Sequence, residues 1–229
     1  MVDKEKIWIF VLILILGFLA LTFNPTLAFI YGLFLLGAYI IIDTLGLNYK
    51  INNITKNTPK QLLIASIGII IFLAISFVLD VVLQKSALLK GNFFVEYLKI
   101  FAVETPLLAG NKLITMGTFS VIIPIIETLF FFGVLLTVIL KLSGVSFQKI
   151  NLNSIIVILL VSSIFTFFHL QVRGLADNVG LMGYFIFAII SSVMVMKTKE
   201  IESAMWFHIM WNLMVVWQKL IGDIPFLRF

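Results

Sequence analysis

The sequence predicts an all-α, polytopic transmembrane helical bundle, and three observations carry that reading. Of its 229 residues, 62% are hydrophobic and only 12% are charged, against about 45–50% and about 25% in soluble domains. The mean hydropathy is +1.17. Apolar runs recur at the length a helix needs to cross a hydrocarbon core about 30 Å thick, roughly 17–25 residues. So few charges cannot cover a water-facing surface, which excludes a soluble enzyme, a disordered chain and a nucleic-acid binder. The formal net charge of +5 is spread over short connections and suits anionic lipid headgroups. There is no cysteine, so disulfides, thiolate nucleophiles and Cys-held metals are out.

About seven spans follow in order. Residues 7–23 form the first, stopped by Asn24 and Pro25, and 27–42 the second. The third covers 62–83 and the long fourth 113–140. The fifth, sixth and seventh cover 154–170, 181–196 and 204–221. In lipid every backbone N–H and C=O must be satisfied internally, and runs of this length do so as helices. The alternation of a membrane barrel is absent. Residues 93–102 are apolar but carry Glu96 and Lys99, so they predict an interfacial amphipathic helix. Neither a repeat nor a linker divides the chain, so 1–229 reads as a single transmembrane domain.

Lys4 and Lys6 precede the first span as in a signal peptide, but its apolar run is long and no A-x-A site follows. A retained anchor is expected. With a cytoplasmic N-terminus, nine of the sixteen Lys and Arg fall inside and seven outside. That bias predicts a multi-pass protein of the cell membrane with its N-terminus in the cytoplasm.

Ionisable groups deep in hydrocarbon are costly, and their default reading is functional. Asp43 and Lys141 sit at span ends, and Asp80 lies about one turn from one. Glu127 in the fourth span, His169 late in the fifth and His208 early in the seventh remain, and they include both histidines of the chain. His208 and Asn212 stand four residues apart and share a helix face, as do Phe165 and His169. Pro124, three residues before Glu127, has no N–H, which leaves the carbonyl of Ser120 without its helical partner. The carboxylate is therefore expected where the helix is locally opened.

The chemistry open to such groups is narrow. A carboxylate in a water-poor site can take a proton from water as a general base. An imidazole can position that water, bind a divalent metal or protonate a leaving amine. An imidazole beside a carboxamide supplies two donors for an oxyanion. Together they describe hydrolysis of an acyl bond without a side-chain nucleophile. Each residue also has a plainer reading: Glu127 can pair with histidine to hold helices together, and Asn212 can be interhelical glue.

The order of these residues resembles the CPBP intramembrane proteases, also called the CAAX-protease or Abi family. The matching strings are Ile126-Glu127-Thr128-Leu129-Phe130-Phe131-Phe132, then Phe165-Thr166-Phe167-Phe168-His169, then His208-Ile209-Met210-Trp211-Asn212. They fall in the C-terminal half, within residues 113–221. The family's first motif is usually Glu-Glu-x-x-x-Arg. Here Thr128 stands at the second Glu and Phe132 at the Arg.

The resemblance implies an intramembrane endopeptidase in the lipid bilayer, acting on a membrane-associated protein or peptide. Glu127 with His169 would activate water, and His208 and Asn212 would stabilise the oxyanion. Glu127, His169 and His208 are also candidate ligands for a divalent metal such as zinc. The alternatives are a family member that no longer cleaves and serves as a scaffold or immunity protein, and a small proton-coupled transporter.

One geometric demand follows from the span boundaries. Simple alternation puts His169 near one end of its span and His208 near the opposite side, roughly 10–15 Å apart in depth at 1.5 Å per residue. The site closes only if the fifth helix runs past residue 170 or the seventh begins before 204.

Overall fold

The computed structural model describes residues 58–85, 114, 117–147, 150–173 and 178–221. The first two spans, the interfacial helix expected at 93–102 and the N-terminal orientation lie outside the described residues. Every described element is helical. In chain order they are α1 (Thr58–Lys85), α2 (Thr118–Leu142), α3 (Leu152–Arg173), α4 (Asn178–Thr198) and α5 (Glu202–Ile221). Among the described residues, four stretches have the length and composition to cross a membrane: Thr58–Leu79, Thr118–Leu142, Leu152–Leu170 and Leu181–Thr198. Helix α5 spans 20 residues but carries Glu202, His208, Asn212, Gln218 and Lys219 in its sequence, which makes it the least apolar of the five.

Local chemistry sets the helix ends. Pro59 stands in the first turn of α1, where its missing N–H forfeits no hydrogen bond. At the end of α2, Gly144 adopts φ +66°. The N–H of Val145 then reaches the carbonyl of Leu140 at 3.0 Å, and that of Gly144 reaches Lys141 at 3.4 Å. This pairing satisfies the last carbonyls, with Val145 and Leu140 both buried. Helix α3 starts with a reciprocal cap. Ser154 N–H donates to Asn151 Oδ1 at 2.9 Å, and Asn151 N–H donates to Ser154 Oγ at 2.6 Å. Between α4 and α5 the left-handed position falls on Lys199, at φ 60°. The Thr198 hydroxyl braces that turn by accepting from Glu200 N–H at 3.1 Å.

Helix α2 is central. Of its apolar stretch 72% is buried, against 28% for α1 and 39% for α3. Its N-terminal half packs on α5 and its C-terminal half on α3 and α4, while α1 covers α5 and α4. Gly68 lets α1 approach closely, since a Cβ there would collide with Met194 and stand 3.3 Å from Phe207. One turn further, Phe72 packs on Trp211 at 4.4 Å between centroids. The outward faces are apolar, with Leu63, Ile70 and Phe77 of α1 and Leu152 and Ile156 of α3 exposed. Large exposed aliphatic faces on helices of spanning length are lipid-facing. This is an integral membrane protein.

Helices α3 and α5 both overrun the spans expected from hydropathy. Helix α3 continues to Arg173 and helix α5 begins at Glu202, so both conditions for bringing the histidines together are met.

Candidate active site

Glu127 sits between two departures from the α-helical register. Residues Thr118–Ile122 and Thr128–Leu135 are π-helical, with Ile123–Glu127 α-helical between them. In the first π turn the N–H of Ile123 reaches back five residues, to the carbonyl of Thr118. The position five after Phe119 is Pro124, which has no N–H to give. The carbonyl of Phe119 takes its hydrogen bond from Asn212 Nδ2 instead, at 2.9 Å. The sequence pointed to Ser120 as the carbonyl that proline leaves bare. The widened turn shifts the register by one, and Phe119 is the carbonyl capped from α5.

The carboxylate of Glu127 is buried, and each of its oxygens faces one imidazole. Oε1 lies 3.8 Å from His169 Nε2 and Oε2 lies 3.5 Å from His208 Nε2. Glu127, His169 and His208 thus meet on one point from three helices. Asn212, one turn beyond His208, is buried too, and one of its two amide hydrogens is committed to Phe119. Its Oδ1 has no hydrogen-bond partner among the described residues.

The rings are held by different devices. His169 Nδ1 donates to the carbonyl of Phe165, one turn earlier on α3, at 2.7 Å. A carbonyl only accepts, so the proton of a neutral His169 is on Nδ1 and Nε2 is a bare acceptor aimed at Glu127. The ring is sandwiched: Tyr184 of α4 stacks on it at 4.0 Å and Phe165 lies at 4.4 Å. His208 Nδ1 lies 3.1 Å from Thr128 Oγ1, and its ring rests against Phe187 at 4.6 Å. Phe165 links the two imidazoles, with its centroid 6.3 Å from His208.

Below the site the motif phenylalanines form its floor. Phe130, Phe131 and Phe132 are fully buried. Phe131 meets Phe165 and Phe168 edge to face at 5.1 and 5.4 Å, a favoured aromatic geometry. Phe132 lies 5.5 Å from Phe165 and 6.4 Å from Phe187. Of the three side chains that of His169 is the most exposed, at 12%.

Zinc needs its ligands about 2 Å from one common point. Among the described residues no group of three or more His, Asp or Glu side chains is identified as a metal-holding cluster.

Residues 109–214 match the family model described as Type II CAAX prenyl endopeptidase Rce1-like. Over this stretch the chain is similar to the CAAX-protease family. No curated protein and no solved structure matches the chain. The matched stretch covers α2, α3, α4 and α5 as far as residue 214, and contains all four residues singled out by the sequence. Three contacts to the histidines were not evident from the sequence: Tyr184 on His169, and Thr128 and Phe187 on His208. Tyr184 and Phe187 had no signal at all, since they lie on α4 at no motif spacing. Thr128 had one: a hydroxyl beside Glu127, where the family pattern has its second Glu.

Proposed function

We propose that this protein is an intramembrane endopeptidase of the CAAX-protease kind that hydrolyses a peptide bond of a membrane-associated protein or peptide. The observation that carries this reading is the Glu127 carboxylate held between two imidazoles from separate helices. His169 Nε2 and Glu127 Oε1 are two acceptors facing each other at 3.8 Å. Two acceptors cannot bond to each other, but a water molecule, with two hydrogens, satisfies both. A nucleophilic water is thus oriented with its lone pair free.

Attack proceeds in balanced steps. The water oxygen bonds to the scissile carbonyl carbon as one of its protons passes to Glu127, and the carbonyl oxygen becomes an oxyanion. The His208 N–H and the second amide hydrogen of Asn212 are the donors available to that oxyanion, an interaction worth about 3–4 kcal/mol per donor in other hydrolases. On collapse the C–N bond breaks and Glu127 returns the proton to the leaving amine. His169 keeps its Nδ1 proton throughout, held by Phe165.

The test is cleavage of a fluorogenic prenylated peptide by the full chain in proteoliposomes. Glu127→Gln is isosteric and should lower cleavage about 10²- to 10⁴-fold, the usual worth of a general base. Full activity in that variant would end this assignment. A non-cleaving membrane scaffold is the second reading, favoured by the tight enclosure of Glu127 and by the buried Phe132 at the motif's Arg position. Wild-type protein inert toward membrane peptides of varied sequence would support it.

A further inference from the structure

We propose that Thr128 is a positioning residue that sets the tautomer of His208, so that its proton sits on Nε2, facing Glu127. This inference rests on the peptidase reading for its catalytic consequence, but not for the tautomer itself. The observation is that adjacent residues on α2 address the two nitrogens of one ring. Glu127 Oε2 faces Nε2 at 3.5 Å and Thr128 Oγ1 faces Nδ1 at 3.1 Å. A carboxylate only accepts, so it selects the ring form with a proton on Nε2. Nδ1 then carries a lone pair, which the Thr128 hydroxyl fills by donating. Both groups are buried, with Thr128 at 0% and His208 at 4% exposure, so no bulk water can substitute for either. The grip from neighbouring positions coincides with the change of register at Thr128, where the π-helical stretch begins.

The consequence lies in timing. While Glu127 is ionised, the Nε2 hydrogen points at its carboxylate. Once Glu127 has taken a proton from water, its pull on that hydrogen falls, and the donor is free for the oxyanion formed in the same step. The alternative tautomer would leave a lone pair facing the oxyanion. A neutral hydroxyl beside Glu127 thus orients the ring without adding a second negative charge.

The chain has only two histidines, so full-length protein labelled with ¹⁵N-histidine gives two imidazole spin systems, assigned with His169→Gln. The expected wild-type spectrum shows His208 protonated on Nε2 and bare on Nδ1. Thr128→Val, which keeps the shape and removes the hydroxyl, should move the His208 nitrogen signals and leave those of His169 in place. Thr128→Ser should restore them. In cleavage assays Thr128→Val should lower kcat by about tenfold or more, the worth of one buried hydrogen bond, with little change in KM. Thr128→Ser should recover most of the loss. Unchanged His208 signals in Thr128→Val overturn the proposal, and so does a wild-type His208 protonated on Nδ1, which decides the matter even if the valine variant does not fold. Absence of cleavage by wild type would instead remove the peptidase reading, leaving the spectra to decide the tautomer.

Discussion

Asn212 Nδ2 donates to the carbonyl of Phe119 across the interface between α5 and α2, at 2.9 Å. That bond repairs the gap that Pro124 opens in α2, and it locks the two helices that carry Glu127 and His208. Removing it leaves a buried carbonyl unsatisfied, which costs about 1–3 kcal/mol. Asn212→Leu should lower the thermal midpoint in detergent accordingly. A midpoint equal to wild type would show that the carbonyl finds another donor.

Pro124→Ala returns an N–H to α2 and allows an unbroken α-helical ladder through residue 124. The expected outcome is unchanged or higher thermal stability, with cleavage reduced by about tenfold or more as the Glu127 carboxylate turns away from the imidazoles. Stability and cleavage both at the wild-type level would mean that the π turn does not aim the carboxylate.

Phe132→Arg restores the residue usual in the family's first motif, yet here it should destroy the fold. The side chain would enter a space filled by Phe165 and Phe187, at 0% exposure, and bury a cation with no carboxylate at Thr128 to meet it. An unpaired buried charge costs several kcal/mol. The amount of protein recovered in the membrane fraction is the measure, and wild-type yield of a folded variant would refute the packing argument.

Tyr184→Leu removes the ring stacked on His169 but keeps apolar volume. His169 would retain its bond to Phe165 and lose the face that fixes its tilt, so kcat should fall by about tenfold, as small misplacements do, while stability changes by about 1 kcal/mol. Equal kcat would assign Tyr184 to packing alone.

Lys199→Gly removes a left-handed non-glycine residue from the turn before α5. Net of the greater freedom of the unfolded glycine chain, stabilisation of about 0.5–1 kcal/mol is expected. A lower midpoint in thermal unfolding would show that the Lys199 side chain contributes more than its backbone strain.

Much of this protein was legible in its residues. Burying a helix in lipid requires an uninterrupted apolar run, so α1, α3 and α4 follow from hydropathy, each within a few residues of its helical ends. The cost of burying charge marked Glu127, His169 and His208, because little else in those spans needed explaining. Pro124 announced a break in α2, since a missing N–H is a local fact. What only the tertiary structure decided is relational. Whether Phe119 or Ser120 loses its donor depends on a π register that no spacing rule specifies. That Asn212 answers that carbonyl, that Thr128 faces one nitrogen of His208, and that Tyr184 stacks on His169 all depend on which faces of α2, α3, α4 and α5 meet. Among lipid chains apolar helices gain no hydrophobic drive toward one another, so shape and a few hydrogen bonds choose those faces, and neither is written in the periodicity of a single helix.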